Sequence, residues 1–383
     1  MNRWIYLDNN ATTRPLDAVV EAMLPFLRDQ YANPSSVHAF GQSVRHQVDL
    51  ARQKVAALLG ADPREIIFTS GGTESINLAI RGLLTARPER RGVITTSVEH
   101  SAVRKLCARL AEEGYPVDEI GVDHDGRLDL AELESKITPQ TAIVSVMYAN
   151  NETGVLSDVA GVAQICQARG VPLHLDAVQA LGKVPIDVTC LPVALLSMSA
   201  HKCHGPKGVG ALYVRRRTPL SPLIIGGTHE RNMRAGTEHV AGIVGMGAAA
   251  EALANRPDDE TAGIARLRDR LERGILAGAD SAHVIGQAAE RICNTTNIGF
   301  EGLAAEAILL LLSENGICAS AGAACSSGSL EPSHVLQAMG IDARIAHGAI
   351  RFSLSQFTTE AEIDRVVDLL PALLNRLGAL SHA

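Results

Sequence analysis

The chain has 383 residues, of which 46% are hydrophobic and 20% charged, and its formal net charge is −7. That length exceeds what one core usually supports and predicts two domains, while an acidic balance without a long basic run argues against nucleic-acid binding. No apolar stretch approaches the roughly 20 residues of a membrane helix, residues 1–8 lack a signal-peptide core, and seven cysteines without C-x-x-C spacing suit a reduced compartment, so the expected location is cytoplasmic.

Residues 5–14 read as a short strand and a polar turn, followed by a helix that Asp17 caps and whose apolar face is Val20, Met23, Leu24 and Leu27. Asn33-Pro34-Ser35-Ser36 is a turn. Val44, Val48, Ala51, Val55, Leu58 and Leu59 mark a longer helix that stops at Gly60. Strands and helices then alternate. Strands are expected at 66–69, 93–96, 117–121, 142–147, 171–175, 194–198 and 209–214, with helices at 76–84, 102–113, 130–137 and 159–169. This predicts an α/β fold with a mostly parallel seven-stranded sheet covered on both faces.

In such sheets ligands bind beyond the carboxyl ends of the strands. Thr69-Ser70-Gly71-Gly72-Thr73, Glu99-His100, Asn150-Asn151-Glu152, Asp176 and His201-Lys202 all fall at those ends. Any one of them has an ordinary structural reading, but five at one rim do not. There is neither a Gly-x-Gly-x-x-Gly fingerprint nor a phosphate loop ending in Gly-Lys-Ser/Thr, which disfavours dinucleotides and nucleoside triphosphates.

Beyond a polar stretch at 255–260, a helix carries Ile264, Leu267, Leu271 and Ile275 on one face. A strand at 297–300, a leucine-rich helix at 304–313, a strand at 349–354 and a final helix through Val366 and Leu370 follow. The boundary is placed near 255. A large domain spans 15–255, and a small α+β domain combines 1–14 with 256–383.

Lys202 stands just past an apolar strand, where partial desolvation favours a neutral amine able to attack a carbonyl. The glycines of 70–74 let a phosphate approach the next helix end, although Thr73 or Ser70 could equally cap it. Asp176 is either a helix cap or a carboxylate for a pyridinium nitrogen. His100 can stack on a ring and exchange protons, and Gln179 can reach a phenolic oxygen. The segment 319–329 is almost all small residues and cannot fill a core, so its Cys325 is a candidate nucleophile. A metal at His201, Cys203 and His204 is disfavoured by their adjacent spacing.

These stretches resemble the cysteine desulfurases of the NifS/IscS branch, within the class V aminotransferases. The likeness runs through Tyr6-Leu7-Asp8-Asn9-Asn10-Ala11-Thr12-Thr13, residues 33–36 and 68–75, Val98-Glu99-His100, residues 150–154, Asp176-Ala177-Val178-Gln179, the Lys202 stretch, Arg234-Ala235-Gly236-Thr237, Ala324-Cys325-Ser326-Ser327-Gly328 and residues 350–354. Ala346-His347-Gly348 points to the nitrogen-fixation (NifS) type. The resemblance implies the pyridoxal 5'-phosphate (PLP) fold type I of aspartate aminotransferase. It implies a homodimer and the conversion of L-cysteine to L-alanine with a persulfide on Cys325, supplying an iron–sulfur scaffold or another acceptor. Lys202 would hold PLP, with His100 as the acid/base. Gly72, Thr73, Ser199 and His201 would bind the phosphate, joined by Thr237 from the neighbouring subunit. Asn151, Asp176 and Gln179 would complete the cofactor site. Asn151 and Arg351 would hold the substrate carboxylate. No resident metal is expected, though Cys325 would be able to touch a cluster on a partner. A selenocysteine lyase or another PLP β-lyase is the alternative, against which Cys325 argues. A non-catalytic assembly partner is a further one, against which intact Lys202, Asp176 and Cys325 argue.

Overall fold

The computed structural model describes residues 4–257, 259–321 and 332–381. Its strands are β1 (Ile5–Tyr6), β2 (Ile66–Thr69), β3 (Gly92–Thr96), β4 (Val117–Ile120), β5 (Thr141–Met147), β6 (Leu173–Asp176), β7 (Leu195–Ser199), β8 (Gly210–Val214), β9 (Ala282–Val284), β10 (Thr295–Phe300), β11 (Ile317–Cys318) and β12 (Ala349–Ser353). Its helices are α1 (Asp17–Arg28), α2 (Ala39–Leu58), α3 (Gly72–Ala86), α4 (Ser101–Glu112), α5 (Leu130–Lys136), α6 (Val159–Arg169), α7 (Val240–Ala254), α8 (Glu260–Gly278), α9 (Ala305–Glu314), α10 (His334–Ala338), α11 (Ala343–Ala346) and α12 (Glu360–Ser381).

Seven strands form the main sheet in the order β2-β8-β7-β6-β5-β3-β4. β8 runs antiparallel to both of its neighbours, and every other pairing in the sheet is parallel. The reason is the short connection from Ser199 to Gly210, since a parallel return needs a crossover of about a dozen residues or more. That short connection is the Lys202 loop, so the exception to parallel order and the site share one cause. Strands β2, β5 and β7 are buried along their whole length, as expected of strands covered on both faces, whereas the edge strand β4 exposes Asp118 and Glu119.

Two details differ from the sequence reading. Asp17 is the first residue of α1 and does not cap it; Leu16 holds the cap position without a side-chain bond. The second is α7, which periodicity does not reveal. Its sequence VAGIVGMGAAAEALA is apolar or small on every side because it packs deep against α1 and α2. A Cβ on Gly247 would sit 2.7 Å from the Ala51 Cα, so the helices touch through backbone there.

A second core joins Leu7 to Leu271, Ile275, Phe300, Leu312, Ile350, Phe352 and Leu370. It lies between α8, α9 and α12 and the antiparallel order β12-β10-β9, with β1 paired to β11. The first strand thus packs with residues after 255. No helix among the described residues is long and apolar enough to cross a membrane.

Candidate active site

A pocket of about 610 Å³ opens at the carboxyl ends of the parallel strands, room for a cofactor-sized ligand. Its lining includes Gly72, Thr73, His100, Asn151, Asp176, Gln179, Ser199, His201, Lys202 and Arg351. These residues come from six separate segments. Thr237 is not among them; it is exposed, in a loop held to the first turn of α3 by the Arg234–Glu74 ion pair at 2.8 Å. Cys325 lies outside the described residues. On either side of it, Ser320 pairs through its backbone with Arg351, and Ser333 donates its hydroxyl to the Glu152 carboxylate. Both neighbouring segments therefore meet pocket-lining residues.

At one end of the pocket, Gly71 precedes α3 with φ +152°, a conformation that favours glycine. No side chain caps this helix, so neither Ser70 nor Thr73 is the cap. Its first N–H groups and its dipole face the region of Ser199 and His201, a setting suited to a phosphate. Gly210 lets the sheet close behind it, because a Cβ there would lie 2.7 Å from the Gly71 Cα.

Lys202 Nζ donates to the carbonyls of Asn10 at 2.6 Å and Ala11 at 2.9 Å. Asp176 is buried at the end of β6 and accepts the Val178 N–H through Oδ1 at 3.0 Å, leaving Oδ2 for a ligand. Burial raises its carboxyl to about 6, while the Val178 N–H and the Lys202 charge pull the other way. Asp176 therefore remains mostly ionised at neutral pH. His201 is held below the usual range, at about 4, by burial and by the charges of Lys202 and Lys207. It acts as a neutral polar ring beside Thr12, whose hydroxyl lies 3.2 Å from Nδ1.

His100 caps α4, its Nδ1 accepting the Ala102 N–H at 3.1 Å. Burial and the Lys202 charge lower its pKa. A neutral ring accepting at Nδ1 carries its proton on Nε2. In this state His100 offers the pocket a hydrogen-bond donor at Nε2, and it takes up a proton only at Nδ1, at the cost of the cap bond.

Arg351 is 2% exposed. Its Nη2 meets Asp8 Oδ1 at 2.7 Å and its Nη1 donates to the Asn151 carbonyl at 3.0 Å, while the buried Nε has no partner among the described residues. A guanidinium lining a pocket, with donor capacity still unused, suits a carboxylate. Arg351→Ala is expected to raise the KM for an amino-acid substrate about tenfold to a hundredfold while cofactor binding is retained, read from initial rates and PLP titration. An unchanged KM would place the carboxylate seat elsewhere.

Several residues that the sequence places in notable stretches, without a role, gain one in the structure. Asn10 accepts Lys202 and Gln179 at its carbonyl and donates to the Asn151 carbonyl and the Thr295 hydroxyl. Asp8 holds Arg351. Glu99 is fully buried, accepts the Thr96 hydroxyl and the Met147 N–H, and is pushed up to about 8 by burial. It is a protonated acid behind His100 rather than a charge. The donor set as a whole fits PLP, with an uncapped helix end for the phosphate, an amine for the aldehyde and a buried carboxylate for the ring nitrogen.

A family model described as aminotransferase class-V matches residues 5–366. A cysteine desulfurase of Trichormus azollae is 53% identical over 377 residues, covering 98% of this chain and 94% of the relative. The cysteine desulfurase NifS of Azotobacter vinelandii is 53% identical over 378 residues, with coverage of 98% and 94%. A solved NifS-like protein superposes with a TM-score of 0.92 at 39% identity, over 98% of this chain and all of that one.

Proposed function

The chain belongs to the aminotransferase class-V family, and from that premise we propose how its own residues carry out the reaction of a PLP-dependent cysteine desulfurase. The enzyme removes sulfur from L-cysteine and leaves L-alanine. The observation that carries the residue assignment is the meeting of Lys202, Asp176 and Arg351 in one pocket.

When bound, PLP supplies an electron sink for negative charge at the substrate Cα. Lys202, whose amine lies on the Asn10 and Ala11 carbonyls, would be the residue that holds the cofactor. Gly72, Thr73, Ser199 and His201 bind its phosphate, and Asp176 keeps its ring nitrogen protonated. Gln179 donates to its phenolic oxygen. Arg351 and Asn151 orient the substrate carboxylate. The Cys325 thiolate attacks the substrate sulfur, so that an S–S bond forms as the substrate C–S bond breaks. The carbon that loses sulfur gains a proton; the substrate thiol loses one, and His100 is the carrier between them, taking it up as the imidazolium and returning to the neutral ring when it delivers it. The balance is L-cysteine plus a Cys325 thiol giving L-alanine plus a Cys325 persulfide. We further propose an iron–sulfur scaffold as the acceptor of that sulfur.

The functional unit in this reading is a homodimer in which each subunit lends Thr237 to the other's phosphate site. Supporting this, Thr237 stands outside its own pocket, and Tyr31, Val37 and Ile225 are 77%, 94% and 86% exposed, large apolar side chains open to a partner surface. Active-enzyme sedimentation tests both parts together. The species that makes alanine from cysteine should sediment as a dimer. An active monomer would overturn the shared site, and an absence of alanine from PLP-loaded protein would overturn the assignment of this chemistry to the pocket.

A further inference from the structure

One amine beside the site has no role in the mechanism above. Lys183 follows β6 and is half-buried, its amine reaching a cavity of about 160 Å³ that it shares with Lys202, Cys203 and Cys293. This cavity lies apart from the substrate pocket, and Lys202 borders both. Lys183 Nζ donates to Gln179 Oε1 at 2.7 Å. Gln179 Nε2 in turn donates to the Asn10 carbonyl at 2.9 Å, the same oxygen that accepts Lys202. Gln179 is 4% exposed, so its amide has little recourse to water.

The two ends of an amide are alike in shape and opposite in chemistry. A carbonyl can only accept, so the Asn10 end requires the Gln179 nitrogen. An ammonium can only donate, so the Lys183 end requires the Gln179 oxygen. Flipping the amide would set oxygen against oxygen at Asn10 and N–H against N–H at Lys183. With one Nε2 hydrogen on Asn10 and Oε1 on Lys183, what the amide has left for the pocket is its second N–H. Burial, reinforced by the Lys202 charge, lowers Lys183 to about 7. Either protonation state keeps an N–H for Oε1, so the bond does not depend on the charge. Other ionisable groups around Lys183 are Arg351, Cys203, Cys293 and His204, and Arg256 and Glu260 line the same cavity.

We propose that Lys183 is a positioning residue that locks the Gln179 amide in the orientation presenting an N–H donor to the phenolic oxygen of PLP. This rests on the reading of Gln179 given above. A donor at that oxygen favours its deprotonated form, so losing the lock raises the pH at which the cofactor's visible absorbance changes.

The test is a double-mutant cycle on the PLP-loaded enzyme, without substrate, comparing wild type, Lys183→Met, Gln179→Leu and the double variant. The readout is the pH midpoint of the visible absorbance. Each single variant should raise the midpoint by about one pH unit, a tenfold change in proton concentration. The double variant should move no further than Gln179→Leu alone, and Lys183→Arg should restore the wild-type midpoint. Equal midpoints in wild type and Lys183→Met overturn the lock. So do additive shifts in the double variant, which would mean that Lys183 acts through its charge across space. If Lys183→Met does not fold, Lys183→Leu takes its place in the same cycle, with the same two outcomes. A wild type with no visible absorbance after loading overturns the cofactor reading, and the lock with it. A normal wild-type titration with no coupling overturns the lock alone.

Discussion

Lys202→Ala is expected to lower the rate of alanine formation more than about a thousandfold and to abolish the covalent, visibly absorbing link to PLP. The expectation follows from position. Lys202 lies in the short turn between β7 and β8, at the point where the one antiparallel strand enters an otherwise parallel sheet. Its amine is held by the Asn10 and Ala11 carbonyls and faces the pocket that contains Asp176. Lys105 also lines that pocket, but it belongs to the exposed side of α4, away from the strand ends. Added PLP should not rescue the variant, because the fault is a missing amine rather than weak affinity. Absorbance spectra and single-turnover alanine assays read both effects, and near-normal turnover would remove Lys202 from the mechanism.

Cys325→Ala is expected to reduce alanine production by a similar factor through a different fault. The variant should bind PLP normally and still change its spectrum on addition of cysteine, since Lys202, Asp176 and Arg351 are untouched. What is lost is the thiol that takes the sulfur, so the substrate C–S bond has no nucleophile to break it. The flanking contacts make this thiol the natural candidate. Ser320 pairs with the backbone of Arg351, and Pro332, Ser333 and His334 line the pocket, with His334 Nε2 donating to the Glu99 carbonyl at 2.9 Å. The chain thus leaves for Cys325 from the substrate-carboxylate residue and returns beside His100. Spectral and product assays on the same sample separate the two faults, and full alanine production by the variant would show that another group takes the sulfur.

The main sheet is legible in the sequence because doubly covered parallel strands are short, continuous apolar runs with clear boundaries. The rim residues are legible for a related reason, since polar groups directly after such runs must face the strand ends. Helix α7 escapes because a buried helix of alanine, glycine and valine has no polar face to set a period. The roles of Asp8 and Asn10 escape for lack of local pattern. Asp8 meets Arg351, and Asn10 meets Ser353 and Thr295, all hundreds of residues along the chain. Lys183 escapes because an amine four residues from a glutamine reads as surface charge until the fold turns it inward. Cys325 is singled out in the sequence by its small-residue surroundings, and it lies outside the described residues.

The most direct test of the account is to expose the PLP-loaded wild type briefly to L-cysteine without an acceptor and to map sulfur by mass spectrometry under non-reducing conditions. Among the other cysteines, Cys107, Cys166 and Cys203 are buried and their thiols are raised to about 12, which makes them poor nucleophiles. Cys190 is exposed and controls for non-specific modification. The account predicts one extra sulfur atom on the peptide carrying Cys325, formed with an equivalent of alanine and absent from Lys202→Ala. An extra sulfur found mainly on another cysteine, or alanine formed with Cys325 left unmodified, would contradict it.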